Sequence, residues 1–413
     1  MSKIVIITSG QPALNPRLVK EADALTEAGH EVTVIYAYWN QWGKIFNEKL
    51  LAEKSWSARC AGGDPEVNKV TYLVSKIIFK LSKLVFRLSD RRWLAHLAIG
   101  RPGPFLMRLA AAQAADLYIG HNLAALPATV VAAKKQKRPC GFDAEDLHRY
   151  EISSDPSHPD VLLKSYIENK YLPQLQYLTV SSEPIGAAYR KLFPWLLPKV
   201  VRNVFPKSDL KLRSLIQRHM PVRLFWFSQT LGKQRGLQDI VGALAQLPRQ
   251  NYELHLLCDR PAYTLAFRDE LVASGIDIRF YDPIPGDELV GFAAQFDIGL
   301  ATEPGFSINN DLALSNKLFT YLQAGLFMIA TATTSQKAFL EQHPDVGLLY
   351  QPGNVPVLVE MLKLLENKRQ KISVGQQASL ALAHTEMNWE TEKYLFLETI
   401  NQAIKTDETF IDY

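Results

Sequence analysis

Short, wholly apolar runs recur along this chain, each followed by a segment long enough for a helix, and that alternation constrains the fold more than any other feature. The first run is Ile4 to Thr8, in which every residue is apolar or β-branched. A strand with no polar alternation must be covered on both faces, as in a parallel sheet. After the loop Ser9 to Leu14, Asn15-Pro16 supplies an N-cap and a first-turn proline. Leu18, Ala22 and Leu25 keep helical spacing, Gly29 ends the helix, and Glu31 to Ala37 (EVTVIYA) is the next strand. This is a βαβ unit, and such crossovers are right-handed.

Further strands are expected at Leu117 to Gly120, Arg138 to Phe142 and Tyr177 to Ser181. A second series follows at Val222 to Phe227, Tyr252 to Cys258, Ile276 to Tyr281, Phe296 to Ala301 and Phe327 to Thr331. A joint at Phe205-Pro206-Lys207-Ser208 separates them. A chain of 413 residues is also too long for one core. The expected architecture is α/β, with two facing, doubly wound, Rossmann-like domains at 1–205 and 206–387. Residues 388–413 add a closing amphipathic helix, either bracing the second domain or crossing back to the first. Ligands of such sheets bind at the carboxyl ends of the strands.

Composition removes several alternatives. Hydrophobic residues are 47% and charged ones 21%, which excludes a disordered tail or a fibre. Cys60, Cys140 and Cys258 are far apart, with neither disulfide-scaffold nor metal-ligand spacing. The balance of 46 basic and 42 acidic residues leaves +4, and no nucleic-acid partner is expected. The opening MSKIVIITSG runs straight into a strand, and no apolar stretch reaches the ~18 residues of a spanning helix. A soluble, cytoplasmic chain is the default expectation.

Four clusters of chemistry-bearing residues fall at strand-to-helix junctions. Gly10, Asn15 and Arg17 follow the first strand, where a glycine lets a ligand approach the backbone and a helix terminus favours negative charge. An ordinary tight turn is the competing reading, since no GxGxxG is present. His121 and Asn122 follow the Leu117 to Gly120 strand, placed to hydrogen-bond a substrate or to serve the core. Asp143, Glu145, Asp146, His148 and Glu151 crowd nine residues. Carboxylates this close raise one another's pKa and suit general-base work or sugar-hydroxyl binding. Alternatively, Asp143 caps a helix continuing through Tyr150. Finally, Ser228 to Gly236 (SQTLGKQRG) and Ser315 to Phe319 (SNKLF) both offer cations and small polar groups where helices begin, a diphosphate site in physical terms without the GxxxxGK[ST] of a P-loop.

These residues carry a resemblance. The chain resembles the retaining GT-B glycosyltransferases of the large group 1 class, family 4 in the usual classification, over nearly its whole length. His121 before Leu126-Pro127-Ala128 looks like the family's histidine loop, Asn203 matches the asparagine of its "PNGVD" segment, and Trp389 is similar to the tryptophan opening its crossover helix. Most specific is Ser315-Asn316-Lys317-Leu318-Phe319-Thr320-Tyr321, similar to the family's S-N-K-x-x-E-Y. Glu303 sits in the region of the first glutamate of its E-x7-E motif, while the second falls on Thr320 and a later proline on Phe327. The donor-phosphate arginine of "G-R-L" falls on Gln229, "K-G" becomes Arg235-Gly236, and the histidine of "D-x-H-E" becomes Glu145.

The resemblance implies retaining transfer of a hexose from a nucleotide-diphosphate sugar to an acceptor hydroxyl, in surface polysaccharide or lipid-linked glycan synthesis. It implies donor contacts from Ser228, Lys233, Arg235, Glu303, Ser315, Asn316 and Lys317. Catalysis would fall to Glu145, Asp143 and His121, and the acceptor side to Gly10, Asn15, Arg17, Asn122 and His148. The nucleotide sugar is a co-substrate, and neither a further cofactor nor a metal is expected, in keeping with the missing DxD signature. A sugar-nucleotide epimerase of the same architecture and a non-catalytic nucleotide-binding module are the alternatives.

One segment points to a surface. Within residues 69–92, Lys76, Lys80, Lys83 and Arg87 recur at helical spacing among apolar residues, offset only by Asp90. That pattern fits an interfacial helix attracted to anionic lipid on the inner face of a membrane, or a buried helix with one solvated basic face.

Overall fold

The structure is a computed structural model describing residues 1–67, 69–88, 92–210, 221–261 and 264–408. The chain divides into two compact units, Met1–Arg202 with Lys393–Tyr413, and Asn203–Glu392. Asp90 lies outside the described residues.

Among the described residues, the first unit holds seven parallel strands. They are β1 (Lys3–Thr8), β2 (Glu31–Tyr36), β3 (Ser57–Cys60), β4 (Leu117–His121), β5 (Cys140–Ala144), β6 (Tyr177–Val180) and β7 (Lys199–Val200), in the order β3-β2-β1-β4-β5-β6-β7. Strand order reverses between β1 and β4, so the crevice of the sheet opens at the carboxyl ends of those two strands. Asn15 accepts from the Leu18 amide and starts the Pro16–Glu27 helix, as its N-cap pattern predicts. The Trp389–Glu408 helix buries Phe396, Ile400 and Ala403, and Lys393 pairs with Glu27 at 3.1 Å.

Among the described residues, the second unit holds six parallel strands, β8 (Val222–Thr230), β9 (Tyr252–Asp259), β10 (Ile278–Tyr281), β11 (Ile298–Ala301), β12 (Phe327–Thr331) and β13 (Gly347–Tyr350). Their order is β10-β9-β8-β11-β12-β13, with the reversal between β8 and β11. Its core runs from Leu224 and Trp226 through Leu254 and Leu256 to Ile298, Leu300 and Ile329. The α/β class and two doubly wound sheets thus stand as expected.

The differences are local and have causes. β3 (SARC) and β7 (KV) went unread because they are short and carry little apolar content, and the four-residue β13 was missed with them, whereas β10, also at an edge, was read. β5 starts two residues later than the expected Arg138 and continues past Phe142 through Asp143 to Ala144. No helix runs from Asp143 to Tyr150: Asp143 belongs to the strand, and only a single 3-10 turn, His148–Tyr150, follows. Asp143 is therefore not a helix cap.

Candidate active site

Sheet register collects the polar residues of the first unit into one row. Thr8 pairs with His121, His121 with Asp143 and Asp143 with Thr179, so four neighbouring strands present polar side chains at the same level near their carboxyl ends. The Pro16–Glu27 helix starts just beyond β1, and its Arg17 and Glu21, one turn apart, reach that row. The Arg17 guanidinium grips Asp143 with two hydrogen bonds, Nε to Oδ2 at 2.6 Å and the second terminal nitrogen to Oδ1 at 2.7 Å. It also donates to the Val201 carbonyl at 2.5 Å, and Thr179 donates to Asp143 at 2.7 Å. His121 lies 3.0 Å from Glu21 through Nε2 and 3.4 Å from Asp143 through Nδ1.

All four members are enclosed, His121 at 1% exposure and Asp143 at 2%. Burial pulls the Arg17 and His121 pKa values down, but the carboxylates of Asp143 and Glu21 outweigh it and raise both. Burial pushes Asp143 up, and the Arg17 and His121 charges override that and lower it. The cluster is charge-compensated, as a buried group of this kind must be. Ligand atoms of Glu21, His121 and Asp143 lie within 4.8 Å of one another, close enough for a cation, but the Arg17 guanidinium already fills that part.

Glu145 and Asn122 sit beside this cluster and are partly exposed. Burial and then the Asp146 charge push the Glu145 carboxyl up to about 7. Asn122, directly after β4, has φ 65°, and Thr8 holds it by donating to Oδ1 at 2.7 Å. A positive φ at a non-glycine residue is strain of the kind held at functional sites. A Cβ on Gly10 would meet nothing within 4 Å, so the backbone there is open to an approaching group. His148 stands apart from His121: its Nδ1 lies 2.5 Å from Glu151, which also binds Lys164 at 2.5 Å. Asn15 is occupied as a cap.

In the second unit, the two cationic junctions each reach the Thr302-Glu303 segment after β11, at the reversal between β8 and β11. Thr302, just past β11, donates to the Arg235 carbonyl at 2.7 Å. Gly236 has φ 72°, and a Cβ there would lie 1.9 Å from the Thr302 carbonyl oxygen, so only glycine lets this loop close. Ser315 caps the Asn316–Ala324 helix and donates to Glu303 Oε1 at 2.8 Å, and Lys317 binds the same oxygen. Lys317 Nζ also sits 5.8 Å from the centre of the Trp226 ring. Burial would raise the Glu303 carboxyl, but Lys317 and Ser315 hold it below the usual range. Glu303 Oε2 and Trp226 Nε1 are buried and have no hydrogen-bond partner among the described residues. Such orphans are rare unless a ligand completes them.

Arg235 and Asn316 are exposed, Ser228 is partly so, and Lys233 belongs to the Lys233–Arg235 3-10 turn. Thr320, where the resemblance has glutamate, is fully buried and donates to the Asn316 carbonyl at 3.3 Å. Sequence reasoning passed over Glu21 and Trp226. The spacing of Glu21 from Arg17 was a usable signal, whereas Trp226 inside a strand gave none.

No family model and no curated protein sequence matches the chain. Solved structures do match its fold over nearly full length. Anabaena HepE in complex with UDP and glucose has 15% identity and a TM-score of 0.69, covering 97% of this chain and 100% of that one. Sucrose-phosphate synthase from Thermosynechococcus elongatus has 13% identity and a TM-score of 0.71, covering 98% and 100%. The lipopolysaccharide outer core galactosyltransferase WaaB has 13% identity and a TM-score of 0.60, covering 97% and 99%. Two doubly wound sheets, matched end to end in this way, give the chain the GT-B fold of these glycosyltransferase structures.

Proposed function

We propose that the chain is a glycosyltransferase that moves a sugar from a nucleotide-diphosphate donor to an acceptor hydroxyl on a surface polysaccharide or lipid-linked glycan. The observation that carries this reading is the convergence of Glu303, Ser315, Lys317 and the Gly236 loop at the switch point of the second sheet. Support also comes from the fold it shares with a UDP-bound structure, Anabaena HepE.

The chemistry follows from charge. As the bond from sugar to diphosphate breaks, negative charge grows on the leaving phosphate. Lys317, Arg235 and the amides opening the Asn316–Ala324 helix neutralise it, the kind of preorganised electrostatic term that is often the largest in catalysis. Glu303 has one oxygen committed to Lys317 and Ser315, and the other is left to accept from a hydroxyl of the donor. In the first unit Glu145 takes the acceptor proton. His121 and Asp143 are enclosed, so their part is to position the ends of β4 and β5 rather than to touch substrate. Arg17 does the same, while Gly10 and Asn122 line the open acceptor side. The proposal includes hexose transfer with retention of configuration, supported by the resemblance around Ser315 to Lys317.

Calorimetry with UDP, GDP and their sugars tests the donor site. Binding of at least one, weakened at least about tenfold by Lys317→Ala and by Arg235→Ala, is the expected result. Binding of none defeats the reading. Isomerisation of a nucleotide sugar with no acceptor present would replace transfer by epimerisation.

A further inference from the structure

We propose that the Lys69–Leu88 helix is a docking element that lies flat in the headgroup region of an anionic lipid bilayer. The inference stands independently of the donor-site reading, because it rests on the surface of the first unit alone.

The helix has 20 residues, about 30 Å at 1.5 Å per residue. A helix on a water-soluble body normally turns its apolar stripe inward and its polar side outward. This one half-buries Ile78, Phe79, Val85 and Phe86 on its inward side and still carries a second apolar strip facing outward. Its buried residues are Ser75 and Ser82, two turns apart on one face. Ser75 satisfies its hydroxyl within the helix, donating to the Tyr72 carbonyl at 2.8 Å. Meanwhile Val70, Leu73, Ile77, Leu81, Leu84 and Leu88 are 51% to 76% exposed. At 3.6 residues per turn those six fall within an arc of about 80°, a continuous apolar strip along the helix. A contiguous exposed apolar strip of this kind marks a surface that meets another apolar surface.

Charge decides what covers it. Lys69, Lys76, Lys80, Lys83 and Arg87 occupy the adjoining arc, and the helix carries no acidic residue. Lys76 and Lys83 lie over the rings of Tyr72 and Phe79, at 5.8 Å and 5.2 Å, which lays their stems along apolar surface and keeps the ammonium groups at its edge. A second copy of this chain packed strip to strip would crowd the two basic arcs together, a like-charge arrangement that interfaces avoid. A surface of anionic headgroups over acyl chains meets both arcs at once: the leucines enter the boundary, and the cations stay level with the phosphates. Among the described residues no helix is long and apolar enough to cross a membrane, so the contact is peripheral.

Flotation of the full chain with vesicles tests the proposal, using phosphatidylcholine alone and phosphatidylcholine mixed with phosphatidylglycerol. The chain is expected to float with the anionic vesicles at low salt and to be released by high salt. Ile77→Asp with Leu81→Asp, and separately Lys80→Glu with Lys83→Glu, should each lower that partition at least about tenfold. All four sites are exposed, so an unchanged melting temperature shows that the variants remain folded. Equal binding of wild type and variants, or equal binding to the neutral vesicles, overturns the proposal. A wild-type dimer that Ile77→Asp with Leu81→Asp converts to monomer, with no vesicle binding, assigns the strip to a second copy and overturns it as well.

Discussion

Glu145 stands at the end of β5 with its carboxyl held near pKa about 7 by burial and by Asp146. A base poised there is half-ionised at neutral pH, where proton transfer is most effective. Transfer activity is therefore expected to rise as pH increases through about 7, because only the ionised carboxylate accepts the acceptor proton. Glu145→Gln should lower kcat by roughly 10²–10⁴ and abolish that inflection while leaving nucleotide affinity unchanged. An inflection that survives the substitution assigns the base elsewhere. The neighbouring ion pair makes a different prediction. Arg17→Met leaves Asp143 buried without its partner, and urea denaturation should show a loss of about 3–5 kcal/mol. Asp143 titrates below its unfolded value, so the stabilisation it brings is present above the unfolded carboxylate pKa and is lost as pH falls through the folded one. The variant should flatten that acid limb of the stability curve. Each residue of the cluster except Glu21 was visible as a candidate in the sequence. Their burial was not, because an acidic run after a strand reads the same whether it faces solvent or a guanidinium.

Among the elements, the turn from β8 to Gly236 is specified by a close backbone contact. Gly236→Ala places a Cβ against the Thr302 carbonyl and forces φ 72° on a residue that resists it. A loss of at least about 2 kcal/mol by thermal denaturation is expected, together with weakened nucleotide binding, since the Arg235 carbonyl can no longer meet Thr302. Normal stability and binding would show that the loop closes in another way. The Pro16–Glu27 helix was fully legible, from Asn15 at its start to Gly29 after its end, because caps are local chemistry. β3, β7 and β13 were not, since strands of two to four residues with few or no alternating apolar positions carry no periodicity that a loop could not also show. The Lys69–Leu88 helix lies between these cases. Its basic spacing was plain, but which of its faces is buried follows only from what packs against it.

At the scale of the whole molecule, the carboxyl-terminal helix returns the chain to the unit of its first residues. Residues from Lys393 onward belong to the unit that contains Met1, and Phe396 and Ile400 are buried there. Ending the chain after Glu392 removes both side chains from that core, at about 3–5 kcal/mol for a large aromatic and about 2–5 for an isoleucine. Calorimetric melting of the shortened chain should show a destabilised first unit beside a second unit that melts as before. Coincident loss of both would mean that the units do not unfold separately. By itself, the sequence determined the α/β class, two parallel sheets, and which loops carry cations or carboxylates, because strand runs, helix caps and glycine stops are written within a few neighbouring residues. Only the tertiary structure decided that Arg17, Glu21, His121 and Asp143 form one enclosed cluster, that Gly236 seats Arg235 against Thr302, and that the Lys69–Leu88 helix turns its serines inward and its leucines out. Those outcomes depend on strand order and on which surfaces meet, and burial and partnership are properties of the packed chain that no window of sequence contains.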